Sequence, residues 1–196
     1  KVEKNVNMDS DGAGSKRARN KISINYGSIL RNCKSLSDLP SDHECLRYAR
    51  NRRIPNSFYS DLYYCDNFAE IAAVAKHKIL PSRRLILPLK DKNGRLFGVQ
   101  GRALDNSQPR YITIMFDNDE EKLYGQDKVD MTKTFYCVEG PIDSLFLKNC
   151  VAMAGSDGLP DKYNSNAVLC FDNEPRNKQI VDKVEKYIDK GFKTVI

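Results

Sequence analysis

The sequence has no tryptophan and only two histidines among its 196 residues. Its six cysteines never form a C-x-x-C pair, and His43 and His77 have no partners at the spacing of zinc ligands. The chain itself therefore carries no zinc signature. No apolar run approaches the roughly 18 residues of a membrane span, and residues 1–20 lack the apolar core of a signal peptide. These absences predict an intracellular protein without a membrane segment.

The composition that remains is typical of a polar globular protein. Hydrophobic residues make up 40% and charged residues 30% of the chain, which excludes disordered and fibrous classes. The length suits one ordinary domain or two small lobes and excludes a multidomain enzyme. Because the chain begins at Lys1 and ends in the β-branched run Thr194-Val195-Ile196, we expect a fragment of a longer protein.

Positive charge is concentrated near the N-terminus. The net charge is +6, and residues 15–53 alone contain ten basic side chains against three acidic ones. Such a stretch suits a nucleic-acid backbone, whose phosphates are contacted without regard to sequence. A solvated linker and helix face would show the same pattern, so charge alone leaves both interpretations open.

Composition divides the chain into three parts. Residues 1–40 are predicted to be a flexible basic linker, and residues 41–133 an N-terminal lobe of helices and a small antiparallel sheet. Ser41 and Glu44 form a possible capping box, which predicts a helix to about Arg52. Apolar runs flank Asn93-Gly94, a strong hairpin signal.

Residues 134–196 alternate short apolar strands with helices. Strands are predicted at 135–138, 151–153, 167–171 and 193–196, with helices at 141–148 and around 180–188. This alternation predicts a parallel sheet with helices on its faces. The predicted fold class is therefore α+β followed by α/β: a basic helical and antiparallel-sheet lobe, then a helix-covered parallel sheet.

Acidic residues follow two of the predicted parallel strands. Glu139 and Asp143 follow the first, and Asp172 and Glu174 follow another. Ligands of open parallel sheets bind beyond the carboxyl ends of the strands, and Mg²⁺ takes one or two protein carboxylates there while keeping positions for phosphate oxygens. A purely structural interpretation is that Asp143 complements a helix dipole and that Glu174 starts a helix.

The order of these motifs resembles a known family. Val138-Glu139-Gly140-Pro141-Ile142-Asp143 followed by Phe171-Asp172-Asn173-Glu174 is similar to the TOPRIM module of primases, topoisomerases and some nucleases. Upstream, the segment from Arg84 to Arg102 and the helix around Tyr48 resemble the catalytic core of bacterial and phage DNA primases, most of all those of T-even-type phages. The resemblance extends from about residue 41 to the end.

The resemblance implies roles for particular residues. Glu139 corresponds to the catalytic acid, Asp172 and Glu174 to the metal ligands, and Asp143 to a possible supporting acid. Three arginines match basic positions that hold nucleotides or DNA, namely Arg52, Arg102 and Arg110. The implied cofactor is Mg²⁺ or Mn²⁺, with zinc only in a module expected before residue 1.

The chain departs from the family pattern in places. Glu174 stands where the usual residue is Asp, and Arg110 stands where many members have Lys. The third acidic motif is expected after Ile196, and activity of the fragment alone is therefore open.

The implied function is template-directed synthesis of short RNA primers on single-stranded DNA. The implied partners are a single-stranded DNA template, ribonucleoside triphosphates and a replicative hexameric helicase, in the cytoplasm of a bacterial host. A TOPRIM nuclease and a non-catalytic single-stranded DNA-binding module are the alternatives. A topoisomerase would need a tyrosine nucleophile in a separate domain.

Overall fold

The structure, a computed structural model, describes residues 26–195. Within them the chain forms two five-stranded sheets. The first sheet is antiparallel with strands in sequence order. It consists of β1 (Cys33–Ser35), β2 (Tyr63–Cys65), β3 (Arg84–Lys90), β4 (Leu96–Ala103) and β5 (Tyr111–Met115).

Two helices accompany the first sheet, α1 (Glu44–Asn51) and α2 (Phe68–Val74). The capping box predicted from Ser41 and Glu44 is wrong, because Glu44 is the first residue of α1 and its carboxylate accepts from the Arg83 guanidinium. The Nδ1 atom of His43, not the Ser41 hydroxyl, accepts a hydrogen bond from the Cys45 N–H at 3.2 Å. The reason is position, since His43 immediately precedes the first helical residue and can reach its free N–H groups.

The predicted hairpin between β3 and β4 is present. Asp91 fixes its turn, because one carboxylate oxygen accepts from the N–H groups of Asn93 at 2.9 Å and Arg95 at 3.0 Å. Gly94 has a φ of +79°, a conformation that glycine adopts without steric cost.

The structure differs from the predicted linker over residues 26–40. Residues 26–32 and 36–38 form 3₁₀ helices, and β1 between them pairs with β2. The strand is only three residues long, too short to give a recognisable alternating pattern. The rest of the predicted linker, residues 1–25, lies outside the described residues.

The second sheet has the strand order β10-β9-β7-β8-β6. All neighbours are parallel except β6, which runs antiparallel to β8. The strands are β6 (Leu123–Tyr124), β7 (Phe135–Val138), β8 (Cys150–Met153), β9 (Ala167–Cys170) and β10 (Lys193–Val195), and the helices are α3 (Pro141–Ser144) and α4 (Lys178–Asp189).

Two boundaries differ from the sequence prediction. β6 belongs to the second sheet, so the change of sheet falls between β5 and β6 rather than at residue 133. Helix α3 ends at Ser144 instead of Lys148. The chain then turns at Asn149, whose backbone φ is +48° and whose amide donates to the Thr134 carbonyl at 2.9 Å.

The two sheets share one apolar core. A single buried cluster joins Leu87 and Phe97 of the first sheet to Val138 and Ala152 of the second. The predicted fold class is confirmed: an antiparallel sheet with helices is followed by a mainly parallel sheet. Within residues 26–195, no helix has the length and apolar character needed to cross a membrane.

Candidate active site

Two predicted acids lie at one edge of the second sheet. Glu139 directly follows β7, and Asp172 lies two residues beyond the end of β9. The two strands are parallel neighbours, with Val138 opposite Cys170, so their carboxyl ends meet. We call Glu139, Asp143, Asp172 and Glu174 the acidic edge.

The carboxylates of the acidic edge repel one another. Partial burial raises the pKa of Asp172 above its usual value, and the charges of Glu139, Asp143 and Glu174 raise it further. Lys183 acts in the opposite direction. The fold thus leaves this edge with more negative charge than it neutralises.

Lys183 was not predicted from the sequence. It lies on α4, and its ammonium donates to Glu139 Oε1 while lying 5.6 Å from the centre of the Phe171 ring. A signal was present, since Lys183 is three residues after Ile180 and four before Tyr187 on the apolar face of α4. A lysine at that position faces the sheet instead of solvent.

Asp143 connects the acidic edge to the first part of the chain. Its carboxylate lies 3.6 Å from the Arg52 guanidinium, with both side chains about half exposed. It also folds back against Gly140, where any Cβ atom would clash with the Asp143 carboxylate. Gly140 therefore permits the close approach of this acid to the turn after β7.

Arg102 lies between two tyrosines. Its Nε donates to the Tyr48 hydroxyl at 3.1 Å, and its guanidinium carbon is 5.5 Å and 5.0 Å from the ring centres of Tyr48 and Tyr111. Partial burial raises the pKa of Tyr111, whereas Arg102 and Arg52 lower it, which places these groups within electrostatic reach. We call Tyr48, Arg52, Arg102 and Tyr111 the arginine–tyrosine surface.

Arg110 is exposed immediately before β5, and Arg84 fixes the chain that carries it. The Arg84 guanidinium donates to the carbonyls of Gly101 at 3.0 Å and Pro109 at 3.1 Å, and lies 5.4 Å from the Phe68 ring centre. Only 1% of Arg84 is exposed, and this burial lowers its pKa. No local sequence pattern indicates this role of Arg84, because its acceptors are up to 26 residues away.

Among residues 15–53, the basic side chains that the structure describes make different kinds of contact. Residues 15–25 lie outside the described residues. On α1, Arg47 and Arg50 donate to the backbone carbonyls of Asp42 and Ser41, which precede the helix. Arg52, which directly follows α1, instead contacts Asp143 of the acidic edge.

The donor chemistry of the acidic edge fits a hard divalent cation, because carboxylate oxygens are its preferred ligands. Among residues 26–195, however, no group of three or more His, Cys, Asp or Glu side chains is close enough to hold a metal ion. Glu174 Oε2 accepts from the Asn177 amide at 2.7 Å. The arrangement suits a cation held by one or two carboxylates, with water and phosphate oxygens as its other ligands.

Comparison with known proteins gives related sequences, although no family model matches the chain. The DNA primase of Enterobacteria phage T4 is 32% identical over 169 residues, covering 83% of this chain and 49% of that primase. The resemblance to DNA primases is confirmed. The primase of Legionella pneumophila is 32% identical over 116 residues, covering 49% of this chain and 20% of its own length. The chain thus spans at most about half the length of these relatives.

Solved structures of primase domains share the fold. A DNA primase domain from Pseudomonas aeruginosa superposes with a TM-score of 0.63 at 17% identity, covering 83% of this chain and 64% of that one. A DnaG primase catalytic domain bound to single-stranded DNA gives a TM-score of 0.61 at 17% identity, with coverage of 81% and 63%. The two sheets therefore have the arrangement found in primase catalytic domains.

Proposed function

We propose that this chain is the catalytic core of a DNA primase, which synthesises short RNA primers on single-stranded DNA. One observation carries the proposal: the 3.6 Å contact between Arg52 and Asp143 joins the arginine–tyrosine surface to the acidic edge. Carboxylates suited to a cation and guanidinium groups suited to phosphates thus belong to one continuous surface. Polymerisation of nucleotides needs both.

In the proposed reaction, the 3′-hydroxyl of one nucleotide attacks the α-phosphorus of the next, and pyrophosphate leaves. Glu139 would accept the hydroxyl proton or orient a water molecule at that atom. The ammonium of Lys183 donates a hydrogen bond to Glu139 Oε1 and thereby restrains the position of that carboxylate. We therefore assign Lys183 the role of positioning Glu139.

Asp172 and Glu174 are the proposed ligands of Mg²⁺ or Mn²⁺, with Asp143 as a supporting acid. When bound, such an ion neutralises phosphate charge and polarises the phosphoryl oxygens. Partial burial and the repulsion of neighbouring carboxylates raise the pKa of Asp172, which supports this assignment because a bound cation would offset both.

The arginine–tyrosine surface and Arg110 are proposed to hold the template and the ribonucleoside triphosphates. The Arg102 guanidinium is restrained by contacts with the rings of Tyr48 and Tyr111, and a guanidinium group can make bidentate contacts with phosphate. Because template bases pair with incoming nucleotides, the protein needs little base recognition of its own. A catalytic domain of similar fold has been solved with single-stranded DNA, which supports DNA binding by this chain.

Further partners belong to the longer protein of which this chain would be a part. A primase from Aquifex aeolicus was solved with zinc-binding and RNA polymerase domains together, which supports a zinc module upstream of this chain. We also propose that the longer protein interacts with a replicative hexameric helicase. Its proposed location is the cytoplasm of a bacterial host.

The test is a primer-synthesis assay on the longer parent protein. Single-stranded DNA, Mg²⁺ and labelled ribonucleotides should give short RNA products that require both template and metal. The same protein with labelled DNA and no ribonucleotides should leave the DNA intact. Cleaved DNA would instead indicate a nuclease, and metal-independent DNA binding with neither product would indicate a binding module.

A further inference from the structure

Two cysteines lie opposite each other on neighbouring strands of the first sheet. In the register of β1 and β2, Cys33 pairs with Cys65. The Leu36 N–H donates to the Leu62 carbonyl at 2.9 Å in the continuation of that register. Because hydrogen-bonded and non-hydrogen-bonded pairs alternate, Cys33 and Cys65 form a non-hydrogen-bonded pair, whose Cα atoms are typically about 4.5 Å apart.

This geometry allows a disulfide without movement of the backbone. Cα atoms joined through a disulfide are usually about 4.4–6.8 Å apart. Each of the two thiols also shifts the pKa of the other, as expected for side chains that lie close together. Both side chains belong to the apolar cluster beside α2, with Cys65 buried and Cys33 partly buried.

The same contacts make the two thiols unequal. Interaction with Cys33 lowers the pKa of Cys65, whereas interaction with Cys65 and burial raise the pKa of Cys33. The thiolate is the reactive form of cysteine, and Cys65 is the member of the pair that lines a cavity, so we assign the first reaction to Cys65.

A small cavity gives access to Cys65. It has a volume of about 160 Å³, and Cys65, Asn67 and Glu70 are among the residues that line it. The Asn67 side-chain oxygen is buried and has no hydrogen-bond partner within the described part of the chain. It offers an acceptor for a small molecule with O–H donors, whereas a tripeptide such as glutathione is too large to reach a sulfur whose residue is 2% exposed.

We propose that Cys33 and Cys65 are a modification site: hydrogen peroxide oxidises the two thiols to a reversible disulfide between them. The Cys65 sulfur attacks the peroxide, the O–O bond breaks, and one water leaves as Cys65 becomes a sulfenic acid. The Cys33 sulfur then attacks the Cys65 sulfur, the S–O bond breaks, and a second water leaves with the remaining thiol proton. The two sulfurs together lose two electrons, which the peroxide gains, and a dithiol reductant reverses the change.

The disulfide would close the chain segment between residues 33 and 65. This segment contains α1, with Tyr48 and Arg52 of the arginine–tyrosine surface. β1 lies at the edge of its sheet, so the link would also fix an edge strand to its neighbour. The proposal rests on the cysteine geometry and does not depend on the proposed function.

The experiment is peroxide treatment of the full chain, followed by alkylation of free thiols, digestion and mass spectrometry. The expected result is a linked peptide joining Cys33 to Cys65, two fewer alkylated thiols, and recovery of both with dithiothreitol. In Cys33→Ala the linked peptide should be absent, and Cys65 should instead react with dimedone, a reagent for sulfenic acids.

Cys170→Ala is the matched control, because Cys170 is partly exposed on the second sheet and its loss should leave the linked peptide unchanged. The proposal is overturned if Cys33 and Cys65 stay alkylatable, or if peroxide links a different pair or two separate chains. Should Cys33→Ala fail to fold, the peptide map of the unmodified chain decides the matter by itself.

Discussion

Arginines of the first sheet contact acceptors or aromatic rings, whereas the acidic edge of the second sheet brings four carboxylates near one another, with Lys183 and Arg52 as basic partners. Arg84 donates to backbone carbonyls, Arg102 lies between two tyrosines, and Arg95 pairs with Asp91 and Asp117 at 2.9 Å and 3.0 Å. At the acidic edge, by contrast, partial burial and then repulsion by the neighbouring carboxylates raise the pKa of Asp172.

This difference separates charges that hold the fold from charges that serve a ligand. A buried charge with all its partners in the protein stabilises a particular geometry, and its removal leaves those partners unsatisfied. A cluster of like charges destabilises the fold until a cation binds. Mutations of the first sheet's buried arginines should therefore mainly lower stability. Mutations of the acidic edge should mainly change activity and metal binding.

The largest expected effect is on activity at the acidic edge. In the longer parent protein, Glu139→Gln should lower template-directed primer synthesis by about 10²–10⁴-fold, because glutamine keeps the size but cannot accept a proton at neutral pH. Single-stranded DNA binding should stay close to that of the unmodified protein. Glu185→Gln, on the exposed side of α4, is the control and should retain synthesis. Unchanged primer yield from Glu139→Gln would remove Glu139 from the site.

The next effect is on stability in the first sheet. Arg84→Met should lower the free energy of unfolding by about 3 kcal/mol or more, since methionine fills the space but leaves the carbonyls of Gly101 and Pro109 without donors. Urea denaturation of the variant and the unmodified protein measures this change in the free energy of unfolding. Arg83→Met is the matched control, because Arg83 forms a partly exposed ion pair with Glu44 and its loss should cost less than about 1 kcal/mol. Equal losses would contradict the comparison between buried and exposed arginines.

A smaller, opposite effect on stability is expected at Asp172. Because its pKa is raised in the fold, the ionised form is penalised above that pKa, and the penalty disappears as the pH falls towards the ordinary value of about 3.9. Asp172→Asn should therefore raise the thermal midpoint at neutral pH, with a gain that shrinks in acid.

The same variant should weaken Mn²⁺ binding by about tenfold or more, measured by calorimetry. Asp182→Asn, exposed on α4, controls for loss of one negative charge and should change neither property appreciably. A less stable Asp172→Asn protein at neutral pH, or unaltered Mn²⁺ affinity, would show that the acidic edge is not a strained cation site.

Much of the fold follows from local pattern in the sequence. The hairpin was predicted from Asn93-Gly94 between apolar runs, the four parallel strands of the second sheet from short apolar runs, and the apolar face of α4 from a period of 3.6 residues, and the structure contains them. The acids at the ends of β7 and β9 were also predicted to share an edge, because parallel strands place their carboxyl ends together.

Contacts between residues distant in the sequence could not be predicted from local pattern. Lys183 and Glu139 are 44 residues apart, and nothing local indicates that α4 crosses the end of β7. Strands β1 and β6 have three and two residues, too few for a recognisable alternation. Periodicity reports which face of an element is buried, and it carries no information on which elements are neighbours.

The smallest expected effect concerns the salt dependence of DNA binding. Arg52 and Arg110 are both exposed, and if each contacts one phosphate, the Arg52→Gln/Arg110→Gln double variant should lose about 0.7 per contact from the slope of log K against log salt on single strands. Arg102 is left in place because its removal would also disturb the packing of Tyr48 and Tyr111. Lys78→Gln, an exposed lysine after α2, is the control for net charge and should leave the slope unchanged. A double variant with the slope of the unmodified protein would mean that these two guanidinium groups face solvent rather than DNA, and that Arg52 serves mainly to hold Asp143.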